Sequence, residues 1–172
     1  ILAGIVVAIA AIAFALFRPR AHVPAVTDPL GALDPARAYQ IALDLGGRGH
    51  HLASLPYWRR ALAGIATDSW EIHRNVAAAL NNAALEVRGL GGAALPASRA
   101  SVERVAMVRE ALAQLEHAGR LAPDPRTRAS LLDARGQVLE LWGLGADALE
   151  LYRQALALDP ASAAIRVHAA TC

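Results

Sequence analysis

Apolar positions recur at helical intervals along most of the chain. In "GLGADALELYRQALALDP", residues 143 to 160, Ala148, Leu151, Tyr152, Ala155, Leu156 and Leu158 fall three and four residues apart, so they share one broad face of an amphipathic helix. Small Ala148 and Ala155 flank one ring, Tyr152. Such a face is a notch that admits a neighbouring backbone closely, and it predicts a helix packed against another helix. The cadence returns upstream. In "REALAQLEHAGRLAPDP" it is carried by Ala111, Leu115, Ala118 and Pro123, and Pro123 precedes Pro160 by 37 residues. In "SLPYWRRALAGIATD" it is carried by Ser54, Trp58 and Ala61, with Ala66 in place of the proline.

A helix of different character precedes the best copy, with apolar Leu132, Val138 and Leu139 around small Gly136. The two complete a helix-turn-helix unit that is strongest over residues 126 to 160. Here the chain resembles the tetratricopeptide repeat family, whose unit is about 34 residues of two antiparallel helices with small residues at their crossing and a terminal proline. Residues 35 to 66 form a weaker copy without the proline. The unit from about 69 to 123 carries roughly twenty extra residues, and the Gly, Pro and Ser content of "VRGLGGAALPASRAS" predicts a long loop there. Asp34-Pro35, Asp124-Pro125 and Asp159-Pro160 each pair an N-cap acceptor with a first-turn proline, so three helices are expected to start alike.

The first seventeen residues, "ILAGIVVAIAAIAFALF", break this pattern, having no charge and no hydrogen-bonding side chain. No face of the segment is polar, and its Ile, Leu, Val and Phe residues would each favour the bilayer by roughly 0.3 to 0.6 kcal/mol. As a helix it spans roughly 25 Å, close to the roughly 30 Å of a hydrocarbon core. Residues 1–17 are therefore read as a single transmembrane helix. A signal-peptide core is disfavoured, because "RPRAHVPAV" puts two arginines and a proline where a small-residue cleavage site should lie. Gly4, Ala8, Ala11 and Ala15 make a small-residue stripe that suits packing against another helix in the membrane. Residues 18–34, with Arg18, Arg20 and several Pro and Gly, read as a linker, and 35–172 as the helical repeat domain. From the start at Ile1 and the end within "DPASAAIRVHAATC", one or both ends are expected to be truncated or processed.

The chain has no lysine, and beyond residue 20 its 15 Arg balance 15 Asp and Glu, so no basic field for nucleic acid remains. Cys172 is the sole cysteine and matches no disulfide, metal or haem-attachment spacing. His50 and His51 in "GRGHH", with His73 placed near them across a hairpin, lack a third ligand, so no metal or other cofactor is expected. The carboxylates are not paired, and no glycine-rich loop could hold a phosphate, so the chain is not expected to be an enzyme. Trp58 fills the ring slot of its repeat; Trp70 either staples the start of its helix or lies at an interface.

The resemblance implies that the first helices of successive hairpins line a groove that takes a peptide. In "WEIHRNVAAALNNAALE", Val76, Ala77, Leu80 and Ala84 form the buried stripe, which leaves Glu71, Arg74, Ala78, Asn81 and Asn82 toward the groove. In the next unit the corresponding residues are Ser130, Asp133, Gln137 and Glu140. Some members grip a terminal carboxylate with Lys, Arg and Asn. This chain offers only Arg74 and Asn75, opposed by Asp133, so that specificity is not carried over. The expectation is an all-α, non-enzymatic, protein-binding module of a bacterial inner membrane. It would be an accessory or scaffolding subunit of a larger assembly, such as a respiratory or photosynthetic complex. The alternative is an assembly factor holding a client peptide, as in cytochrome maturation. Arg18 and Arg20 alone would keep the repeats cytoplasmic, but a short basic N-terminus before such an anchor is common in bacteria, so the repeats are expected in the periplasm.

Overall fold

Asp34 starts the first helix of the computed structural model, which describes residues 30–65, 69–89 and 97–172. Its carboxylate accepts the Arg37 N–H at 2.9 Å, and Pro35 follows at a position where no N–H is needed. This opens α1 (Pro35–Gly47). There follow α2 (His51–Gly64), α3 (Trp70–Gly89), α4 (Ala97–Leu121), α5 (Pro125–Leu141), α6 (Gly145–Leu158) and α7 (Ala163–Thr171). Among the described residues the chain is all-α, with seven helices and no strand. None of those helices is long and apolar enough to cross a membrane. The span expected over 1–17, with its stripe of Gly4, Ala8, Ala11 and Ala15, lies outside the described residues, as does the expected linker up to residue 29.

The Asp-Pro device recurs at α5, where Asp124 accepts the Thr127 N–H at 2.8 Å and the Thr127 hydroxyl at 2.7 Å. It does not recur at Asp159. That residue still closes α6, its N–H donating to the Ala155 carbonyl, so the chain needs a turn through Pro160 and Ala161 before a new axis can begin. Ser162 caps α7 instead, accepting the Ile165 N–H at 3.4 Å. The long loop is also corrected. α3 and α4 run to 20 and 25 residues and absorb 87–89 and 97–101 of the stretch expected to be irregular.

The main helix packings are between sequence neighbours, from α1 on α2 through to α6 on α7, as in a stack of hairpins. Small residues make the crossings close: Ala42, Ala61, Ala83, Ala84, Ala111, Ala118, Ala148 and Ala155 have no more than a trace of exposed surface. The small-ring-small cadence is thus a set of buried crossings, with Tyr152 fully enclosed and Trp58 packed edge-on to Tyr39 at 5.4 Å between ring centres. Opposite Tyr152 stands Gly136, where a β-carbon would come within 2.3 Å of the ring. Trp70 packs half-buried on the core.

Alternate helices α1, α3, α5 and α7 form a row joined by single polar links. Asn75 Nδ2 donates to the Tyr39 hydroxyl at 3.4 Å, Trp142 Nε1 donates to Asn81 Oδ1 at 3.2 Å, and His168 Nδ1 lies 2.7 Å from Asp133 Oδ1. Trp142 sits in the α5–α6 turn, which Gly143 completes at φ 78°, a conformation that disfavours any side chain.

Candidate functional site: a cleft between α3 and α5

Helix α3 buries Val76, Ala77, Leu80 and Ala84 against its neighbours, and its register then sets what stands at the edge of that stripe. Arg74, Asn75, Ala78, Asn81 and Asn82 face Ala134, Gln137 and Leu141 of α5 across a cleft of about 500 Å³, floored by Ala77, Leu115 and Val138. Of the residues expected to line a groove, Arg74, Ala78, Asn81, Asn82 and Gln137 meet here. Ser130 and Asp133 instead line a second cleft of about 600 Å³ between α5 and α7, with Arg126, Asp159, Ser162 and Ile165. Both clefts lie along the same row of alternate helices. Glu71 stays in the first turn of α3, exposed, accepting the Ser69 hydroxyl at 2.7 Å. Glu140 turns the other way, toward α6, where it accepts the Tyr152 hydroxyl at 2.8 Å.

The polar groups divide into spent and unspent ones. Asn81 is only 8% exposed, and its carbonyl holds the Trp142 indole. Asp133 is 9% exposed and doubly engaged, by His168 and by the Gln137 amide at 2.8 Å, so it presents no free carboxylate to a ligand. Asn82 is half-buried at the edge of the cleft, and no hydrogen bond within the described residues occupies its amide. Arg74 lies over the Trp70 ring at 5.3 Å and donates to the side-chain Oδ1 of Asn75 at 3.2 Å. No carboxylate pairs with it among the described residues. The cleft therefore offers one guanidinium, unspent amide groups and an apolar floor. Leu141, 55% exposed, supplies an apolar lip. That leucine was missed from sequence, although its spacing of four from Gln137 puts both on one face of α5.

The Tyr152 phenol lies away from this cleft and is pushed above its ordinary range, first by burial and then by its hydrogen bond to Glu140. His51 and His73 are not neighbours. The Leu52 N–H at the start of α2 bonds Glu86, which lies thirteen residues beyond His73 and so about 20 Å farther along α3. His73 instead packs on His117, 4.3 Å between ring centres, and contacts Gln114. Among the described residues no three His, Cys, Asp or Glu side chains gather as metal ligands.

Compared with known protein families and with curated proteins, the chain matches none of either.

Proposed function

We propose that this chain is a non-enzymatic protein-binding module of tetratricopeptide type, anchored by residues 1–17 in a bacterial inner membrane with its helices on the periplasmic side. It acts there as an accessory or scaffolding subunit, and the α3–α5 cleft holds an extended segment of a partner protein. The observation that carries this reading is the cleft's mixture of unspent groups. An extended peptide brings a backbone donor and acceptor at each residue, which the carboxamide of Asn82 and the free carbonyl of Gln137 can meet, and side chains that can rest on Ala78, Ala134 and Leu141. Supporting it are the hairpin order of the helices and the small-ring-small crossings, which hold α3 and α5 side by side.

The test is purification of the tagged full chain in mild detergent, beside a variant carrying Arg74→Ala, Asn82→Ala and Gln137→Ala. Asn81 is left intact because its amide secures Trp142. A partner at fixed stoichiometry with the natural chain, lost from the variant while helicity is unchanged, supports the proposal. A natural chain that purifies as a lone monomer overturns it.

A further inference from the structure

On the other side of α5, where it meets α4, three arginines converge. Arg128 and Arg135 are seven residues apart, two turns on one face of α5, and Arg120 lies in the last turn of α4. All three line one small cleft of about 140 Å³ with Leu131 and Leu132 at its base. The only carboxylate lining it is Glu116, and Glu116 is taken by Arg120 at 2.9 Å. Neither Arg128 nor Arg135 has a carboxylate partner among the described residues. Asp124, the acid nearest Arg128 in sequence, is spent on the N–H and hydroxyl of Thr127. Three guanidinium groups against one carboxylate leave two positive charges uncompensated.

One further observation concerns Arg135. The Nε of Arg135 is shut off from solvent and has no hydrogen-bond acceptor. A buried donor is ordinarily paired, and Arg135, which carries this unpaired one, lines the cleft. The space suits a compact group: at roughly 30 Å³ per water it holds about four or five water-sized units, the scale of one tetrahedral oxyanion. Guanidinium forks recognise such oxyanions through paired N–H bonds.

We infer that the α4–α5 cleft is an oxyanion site that binds a phosphate group, carried either by a soluble phosphorylated small molecule or by a phospholipid head. Arg128 and Arg135 hold the oxygens, Arg120 adds charge at the rim, and the leucines receive the ester side of the ligand.

Thermal unfolding of the full chain in mild detergent, titrated with inorganic phosphate against chloride at constant ionic strength, tests this. The midpoint of the natural chain should rise saturably with phosphate and stay put with chloride. Arg128→Gln, at an exposed position, should weaken the apparent affinity about tenfold, the loss of one charge-assisted hydrogen bond, and adding Arg135→Gln should abolish the response. Arg48→Gln, far from the cleft, should respond as the natural chain does. If Arg135→Gln prevents folding, Arg128→Gln alone decides. No rise in the natural chain, or an equal rise in Arg128→Gln, overturns the inference.

Reconstitution in phosphate-free galactolipid bilayers and in anionic phosphatidylglycerol bilayers separates the two sources. A lipid head already fills the site in the anionic bilayer, so added phosphate has no further effect there. A soluble ligand leaves the phosphate response equal in both.

Discussion

Gly136→Ala reverses the usual sign of a helix substitution. In the middle of α5, alanine should stabilise the helix by about 1 kcal/mol through propensity alone. The structure opposes that gain. The added β-carbon would stand 2.3 Å from Cε1 of Tyr152, 2.8 Å from Cδ1 and 2.9 Å from Cζ, all well inside contact distance. The ring has little room to retreat, because Tyr152 is fully buried, its hydroxyl is held by Glu140, and His168 lies 5.7 Å away between ring centres. Overpacking of this kind costs about 1–3 kcal/mol. Since some of it is relieved by a shift of α6, a net loss of about 1–2 kcal/mol is expected after the propensity gain. Gly119→Ala in α4 is the control: nothing lies within 4 Å of its β-carbon, so it should stabilise by up to about 1 kcal/mol. Urea unfolding of the full chain in mild detergent, followed by circular dichroism, gives both values from the midpoints at unchanged slope. If Gly136→Ala stabilises as Gly119→Ala is expected to, α5 and α6 do not approach at Gly136 and the crossing has been misassigned.

The other predictions follow the same geometry. Ala155→Trp puts a large ring into a crossing with no exposed surface and should destabilise by a few kcal/mol; an unchanged melting curve would contradict the register of α6. Because the fold raises the Tyr152 phenol above about 10, the stability it contributes is fully present below that pH and is lost as pH climbs toward the folded value. With no lysine to titrate in that range, Tyr152→Phe should visibly flatten the alkaline decline, and an unaltered profile would refute the assignment. Asp124 is held below its ordinary range, first by the Thr127 N–H and then by the Thr127 hydroxyl, so its contribution is present above about pH 3.8 and fades on acidification. Asp124→Asn keeps a cap acceptor and should shed that acid dependence; an acid midpoint that does not move would count against it.

What could be read from sequence was what depends on neighbours in sequence. The buried faces of α4 and α6 follow from the spacing of Ala111, Leu115 and Ala118 and of Ala148, Tyr152 and Ala155. The caps at Asp34 and Asp124 are local chemistry between residues three apart. Asp159 misled because the same dipeptide can also end a helix, and only the path of α6 decides which. The stretch 87–101 looked irregular from its Gly, Pro and Ser, yet α3 and α4 extend into both of its ends.

In the cleft, Arg74, Asn81, Asn82 and Gln137 were placed by helical periodicity. Periodicity could not show that Asn81 is committed to Trp142, sixty-one residues later, or that Tyr152 draws Glu140 to the opposite side of α5. The arginine cleft was invisible for the same reason. Arg120 and Arg135 lie on different helices, and only the packing of α4 on α5 makes them one site.

The most direct test of the binding reading is position-resolved photocrosslinking in native membranes. A photoreactive residue is placed at Asn82 or Gln137 in the cleft, and at Arg109 or Arg153 on exposed faces of α4 and α6 as controls. The account predicts one discrete protein adduct from both cleft positions, the same protein in each case, lost when Arg74→Ala is added, and none from the controls. Adducts as abundant from Arg109 and Arg153 as from the cleft, or none from Asn82 and Gln137, would contradict it.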